Sequence, residues 1–199
     1  MFVTLLTAVL VQAPGASAAP SVQEAYFAAG CFWCAETGFE GQPGVTQVIS
    51  GFIGGTKPNP TYKEVSNGGT GYTEAVKVTF DPAVTSYAKM LEVFWNNVDP
   101  VDKDGQFCDR GNQYRPGIFF VDEAQKKAAE ASKDAAASRM KVKGSIVVEL
   151  TKAGTFYPAE EYHQDFWKKD PDRYYGYRKG CGRDARLEKI WGQAPKVAH

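Results

Sequence analysis

The stretch Ala25-Tyr26-Phe27-Ala28-Ala29-Gly30-Cys31-Phe32-Trp33-Cys34-Ala35-Glu36 decides how this chain is read. Residues 25–29 have the apolar character of a short buried strand, Gly30 supplies a turn, and Cys31 opens a helix that can run toward Glu40. A thiol at a helix start meets backbone N–H groups without intrahelical partners and the positive end of the helix dipole. Both favour the thiolate, the reactive form. Phe32 and Trp33 set two large aromatic rings beside it. Three other readings compete. Cys31 and Cys34 can be packed core thiols. They can be half of a zinc site, but the other half is missing: Cys108 and Cys181 lie far apart, and only His163 and His199 offer imidazole, so no metal site is expected. They can serve a general thiol–disulfide oxidoreductase, which uses the same spacing at a strand-to-helix turn. Against the last stands the bulky Phe32-Trp33 pair, which suits an apolar binding wall.

Outward from this point the chain alternates strands and helices. Val45 to Phe52 reads as a second strand, followed by a turn-rich loop through Gly54-Gly55 and Pro58-Asn59-Pro60 to Tyr62. Thr73 to Phe80 alternates, with Val76, Val78 and Phe80 on one face; Glu74 shares that face, as a solvated strand end or a functional acid. Ser86 can cap a helix in which Tyr87, Met90, Leu91 and Phe94 fall at helical spacing. Val101 to Arg115 has no regular period, and an irregular loop of this length is uncommon unless functional. Gly117 to Val121 reads as a strand, Asp122 to Arg139 as a surface helix, Ser145 to Leu150 as a last strand, and Pro158 to Trp167 as a final short helix. Beyond Pro171 the reading is a long irregular tail. Its Arg, Lys and Tyr residues between Arg173 and Arg186 resemble a solvated surface more than a single-strand-binding patch. This order predicts an α+β domain of two layers, helices on a mixed sheet.

Composition bounds the function. With 199 residues, 23 basic against 23 acidic side chains and 13% aromatic content, the chain is sized for one domain with a real core and carries no electrostatic footprint for nucleic acid. The apolar run Phe2 to Val11 ending in Ala16-Ser17-Ala18 has the shape of a secretory signal, although no Lys or Arg precedes it. The expected division is a signal over residues 1–18 and one catalytic domain over 19–199. An exported, periplasmic protein without stable membrane association follows, or a cytoplasmic one if the start is misassigned. A domain of this size does not need structural disulfides, so four cysteines point to a redox relay.

Gly30-Cys31-Phe32-Trp33 resembles the active-site motif of the peptide methionine sulfoxide reductase A family. Gly51-Phe52-Ile53-Gly54-Gly55, Pro58-Asn59-Pro60-Thr61-Tyr62, Gly71-Tyr72-Thr73-Glu74, Gly111-Asn112-Gln113-Tyr114-Arg115 and Ala159-Glu160-Glu161-Tyr162-His163-Gln164 resemble its further signatures, in the same order. The resemblance implies a ferredoxin-like core and reduction of methionine S-sulfoxide, free or in peptides and proteins. It needs no metal or flavin and is recycled by a thioredoxin-like donor, in a protein expected to be monomeric. It implies Cys31 as nucleophile, Glu74 as proton donor, Tyr62 and Tyr114 on the sulfoxide oxygen, Phe32 and Trp33 around the methyl group, and Asp109 in substrate seating. Two departures stand out. Tyr72 replaces a common His two residues before Glu74, and Cys34 replaces a common Gly. Cys34, Cys181 and Cys108 are all candidates to resolve the oxidised Cys31.

Overall fold

Alternation along Thr73–Phe80 places Val76, Val78 and Phe80 in the core, and this strand is one of the two around which the fold is built. The computed structural model describes residues 22–195. In chain order the elements are β1 (Gln23–Ala28), α1 (Phe32–Phe39), β2 (Val45–Ile53), α2 (Tyr62–Ser66), β3 (Thr73–Phe80), α3 (Tyr87–Asn96), the two-residue strands β4 (Gly105–Gln106) and β5 (Asp109–Arg110), β6 (Gly117–Phe120), α4 (Glu123–Arg139), β7 (Glu149–Lys152), β8 (Tyr157–Pro158), α5 (Phe166–Lys169), α6 (Pro171–Gly180) and α7 (Arg183–Trp191).

Six strands form one mixed sheet in the order β7-β6-β1-β3-β2-β8. Its centre, β6-β1-β3-β2, is antiparallel, and β7 joins parallel to β6. That central order, with α1 and α3 as the crossovers, is the ferredoxin-like arrangement. Phe27 of β1 is fully buried and stacks on Phe39 of α1 at 4.9 Å and Phe94 of α3 at 5.4 Å, so one side chain pins both helices to one sheet face. Burying three such rings contributes on the order of 2–3 kcal/mol each.

Several expectations are corrected. The strand expected over Ser145 to Leu150 lies at Glu149–Lys152, because its register with β6 begins at Gly117↔Glu149. It is also not the last: Pro158, expected to open a helix, pairs with Gly51 at the sheet edge, where the missing N–H of proline is tolerated. A 3-10 turn (Glu161–His163) and α5 follow it. The irregular loop from Val101 to Arg115 contains the β4-β5 ladder and a 3-10 turn at Asn112–Tyr114. Most importantly, the expected long irregular C-terminal tail consists of two helices. Asp170 caps α6 by accepting from the Arg173 N–H, and Pro171 occupies its first turn. The residues these helices bury include Arg178 and Arg183, which sequence reasoning assigns to the surface. The signal-like segment 1–18 lies outside the described residues. Among those described, no helix is long and apolar enough to cross a membrane.

Candidate active site

Gly30 makes the catalytic turn possible. It sits at φ 78°, and a Cβ there would stand 2.5 Å from the Gln106 Cβ, so a side chain is excluded by both strain and space. Cys31 then caps α1, its carbonyl accepting from the Cys34 and Ala35 N–H groups. The first free N–H of the helix, that of Phe32, donates to Glu74 Oε2 at 3.0 Å. One hydrogen bond thus ties the thiol-bearing turn to the start of β3.

Around Cys31 the structure brings together Phe32, Trp33, Tyr62, Glu74, Asp109 and Tyr114, all lining one cavity of about 70 Å³. That volume admits the end of a side chain, far less than a drug-sized ligand. A larger cleft of about 500 Å³ between Pro43, α3 and Gln193 holds no cysteine, tyrosine or histidine, so size is no guide to the chemistry. Each wall is fastened. Tyr62 begins α2 behind a capping box of Thr61 and Glu64, and its backbone N–H donates to Glu160 Oε1. Tyr114 rides on the 3-10 turn held when Thr73 Oγ1 donates to the Gln113 carbonyl at 3.0 Å. Trp33 stacks on Phe166 at 3.7 Å and donates its indole N–H to His163 Nδ1 at 3.1 Å. Gln164 bonds both the N–H and the carbonyl of Ser50, locking the turn that carries His163 to β2.

One wall residue escaped the sequence reading. Tyr177 of α6 lines the cavity, meets Trp33 edge-on at 6.0 Å and donates to Asp109 Oδ2. Its signal was hidden because α6 itself was not legible as a helix. The departure at Tyr72 is structural: its hydroxyl donates to the Lys57 carbonyl at 2.6 Å, and its ring covers Gly55, where any Cβ would collide with it.

Burial sets the electrostatics. Glu74, 2% exposed, is pushed up to about 8 by desolvation, with the Phe32 N–H pulling the other way and Asp109 adding to the rise. It is therefore mostly protonated at neutral pH. Burial likewise raises Tyr62 to about 12 and Tyr114 further, leaving both hydroxyls as donors. His163 is driven down to about 4 by desolvation and stays neutral. Cys31 and Cys34 are both free and buried, and their thiols face each other closely enough to share a proton. Burial pushes Cys31 up. The bond from Cys31 holds Cys34 down, helped against burial by Arg183 and Arg178. Desolvation at Cys31 thus works against the thiolate that the helix start favours there, and the two thiols ionise as a pair. Cys34 lies behind the cavity. Cys108, at the exposed tip of the β4-β5 hairpin, forms a disulfide with Cys181 at the end of α6, Cα–Cα 5.0 Å. Cys181, which falls in the expected irregular tail, thus stands at the end of a helix.

A buried pair of interacting thiols beside a protonated carboxylic acid, with a second pair oxidised nearer the surface, defines a thiol-based redox enzyme. Comparison with known proteins gives the family. The description "Peptide methionine sulfoxide reductase" matches residues 23–195. Over 171 residues the chain is 54% identical to peptide methionine sulfoxide reductase MsrA of Listeria monocytogenes serotype 4b, covering 86% of this chain and 97% of that protein. Over 192 residues it is 48% identical to MsrA 2 of Caulobacter vibrioides, covering 96% of each. Among solved structures it resembles methionine sulfoxide reductase A of Corynebacterium diphtheriae (34% identity, TM-score 0.68, 77% of each chain) and reduced Mxr1 of Saccharomyces cerevisiae (28%, 0.71, 76% of this chain and 87% of that one). The chain belongs to the peptide methionine sulfoxide reductase family.

Proposed function

We propose that this protein reduces methionine S-sulfoxide, free or within peptides and proteins, with Cys31 as the nucleophile. The observation that carries the reading is the small cavity in which a thiol, two aromatic walls and a carboxyl kept protonated by burial converge. A methyl sulfoxide needs a nucleophile for sulfur, an acid for oxygen and an apolar seat for the methyl group. Cys31 attacks the sulfoxide sulfur as its proton passes to the Cys34 thiolate. Glu74 donates to the oxygen, and Tyr62 and Tyr114 hold that oxygen by hydrogen bonds. Oxygen moves to Cys31, giving a sulfenic acid, and methionine leaves. Phe32 and Trp33 enclose the methyl group, while Asp109, held by Tyr177, orients the substrate. Cys34 then condenses with the sulfenic acid, releasing water and forming a Cys31–Cys34 disulfide. Exchange with the Cys108/Cys181 dithiol restores the first pair and leaves the Cys108–Cys181 bridge observed here.

That bridge offers an exposed sulfur to an external dithiol, and a thioredoxin-like protein is the donor of that chemistry. No step draws on a metal or prosthetic group. Residues 1–18 act as an export signal in this reading, checked by N-terminal sequencing of the protein recovered from a periplasmic fraction. For the reaction, Cys31→Ser assayed on separated S and R epimers is decisive. The variant should retain less than about a hundredth of wild-type S-epimer reduction, a loss of about 2.7 kcal/mol in transition-state stabilisation. Equal use of both epimers by the wild type would contradict the S-epimer reading, and turnover of insulin disulfides without any sulfoxide substrate would instead favour the general thiol–disulfide oxidoreductase.

A further inference from the structure

Arg183 opens α7 yet points inward and is 1% exposed. Its Nη2 donates to the carbonyls of Ala29 (2.9 Å) and Asn97 (2.7 Å), and its guanidinium lies over the Phe107 ring at 4.3 Å. Nη1 comes within 3.7 Å of where a Gly30 Cβ would stand, immediately before Cys31. The Nε–H has no partner. A guanidinium keeps its charge in a protein, and a buried charge is costly unless an anion answers it. Other arginines here have one: Arg178 pairs with Asp184, Arg186 with Asp99, Arg110 with Asp102. Among the described residues no carboxylate lies in ion-pair range of Arg183. Its place at the positive end of α7 adds repulsion.

Several groups around the cysteine pair could answer that charge. Glu74 on β3 and Asp109 on β5 are both raised by burial; Asp109 feels the charge of Arg183, but burial outweighs it and its carboxylate already accepts from Tyr177. Glu36 on α1, raised by burial to about 8, bonds the Asp165 N–H instead. Tyr62, Tyr114, Tyr174 and Tyr177 are all shifted upward, and His163 is neutral. Arg178 on α6 and Arg173, whose guanidinium lies 5.9 Å from the Trp33 ring centre, add positive charge only. Asp109 thus answers part of the charge at most, and the cysteine pair is the other group that Arg183 acts on.

We propose that Arg183 is the standing counter-charge of the Cys31–Cys34 pair, a positioning residue that keeps one thiolate in the reduced enzyme from the C-terminal helix behind the catalytic turn. The arrangement rests on the proposed role of Cys31. It also agrees with the downward direction at Cys34, to which Arg183 contributes more than Arg178.

The test is iodoacetamide alkylation of the fully reduced protein as a function of pH, mapped by mass spectrometry to the peptide carrying Cys31 and Cys34. It needs no sulfoxide, so it stands apart from the success or failure of the reductase assay. Arg183→Gln can still donate to a carbonyl but is neutral; Arg183→Lys keeps the charge. Near pH 5, below the titration of the thiol in either protein, the Gln variant should react at least about tenfold more slowly than wild type, one pKa unit or more, and the Lys variant within about threefold. At pH 10 all three should converge, because access to the thiols is unchanged. A Gln variant that follows the wild-type profile overturns the proposal, as does a loss of equal size at both pH values, which would mark a purely structural role. Should the variants fail to fold, the wild type decides: alkylation that begins only above pH 8 also overturns it.

Discussion

Replacing Glu74 by Gln isolates the proton. The amide keeps the acceptor for the Phe32 N–H, so the α1 start is preserved, but it removes the transferable hydrogen. At pH 7 a carboxyl with a pKa of about 8 is roughly 90% protonated, whereas one at the ordinary 4.5 is protonated roughly 0.3% of the time. Burial therefore raises the supply of acid about 300-fold. Losing the acid altogether should slow methionine release in a single turnover by about 10²–10⁴. In the wild type the sulfoxide step should decline as pH rises through about 8, where Glu74 ionises, and this limb should be missing from Glu74→Gln. Rapid quench with chromatographic detection of methionine measures both. If Glu74→Gln stays within about threefold of wild type, or keeps the alkaline limb, the proton comes from a tyrosine or solvent and the reasoning fails.

Glu36→Gln should alter stability, since burial raises Glu36 to about 8. Its folded pKa lies above the unfolded value of about 4.5, so its contribution is complete below pH 4.5 and is lost as pH rises toward 8. Urea titration should show the variant gaining roughly 1–3 kcal/mol over wild type between pH 5 and pH 8; a pH-independent difference would refute it. Cys34→Ser and Cys181→Ser should each release about one methionine per enzyme, the former more slowly because the acceptor of the Cys31 proton is gone, and both should lose thioredoxin-dependent multiple turnover; full turnover by Cys34→Ser would make Cys34 a bystander. Gly30→Ala should lower thermal stability by about 1–3 kcal/mol through strain at positive φ, with further loss from the Gln106 collision, and calorimetry would show it.

Much of this could be read from the sequence where burial follows hydrophobicity. Val76, Val78 and Phe80 announced β3, and Ser86 with Met90 and Phe94 announced α3, because apolar side chains there fill the core directly. The residues lining the cavity were legible through the resemblance, not through pattern: an isolated Tyr62 or Tyr114 carries no periodic signal. What stayed hidden shares one cause. In α6 the buried positions are Tyr174 and Arg178, at helical spacing but of a type read as solvated, so Tyr177 and the inward Arg183 were lost with the helices that bear them. The edge strand at Tyr157–Pro158 was hidden by its proline.

The Cys108–Cys181 bridge spans 73 positions and closes a loop around β6, α4, β7 and both helices that precede its end. Closing a loop of that length removes chain entropy from the unfolded state worth about 4 kcal/mol in the simplest estimate, a large part of the roughly 5–15 kcal/mol by which a domain stays folded. On the relay proposed above, in which this bridge is the oxidised end, stability is tied to the enzyme's place in the catalytic cycle. Melting curves taken with and without reductant describe two different chain topologies, and an abundant electron donor holds the enzyme in the topology that unfolds more readily.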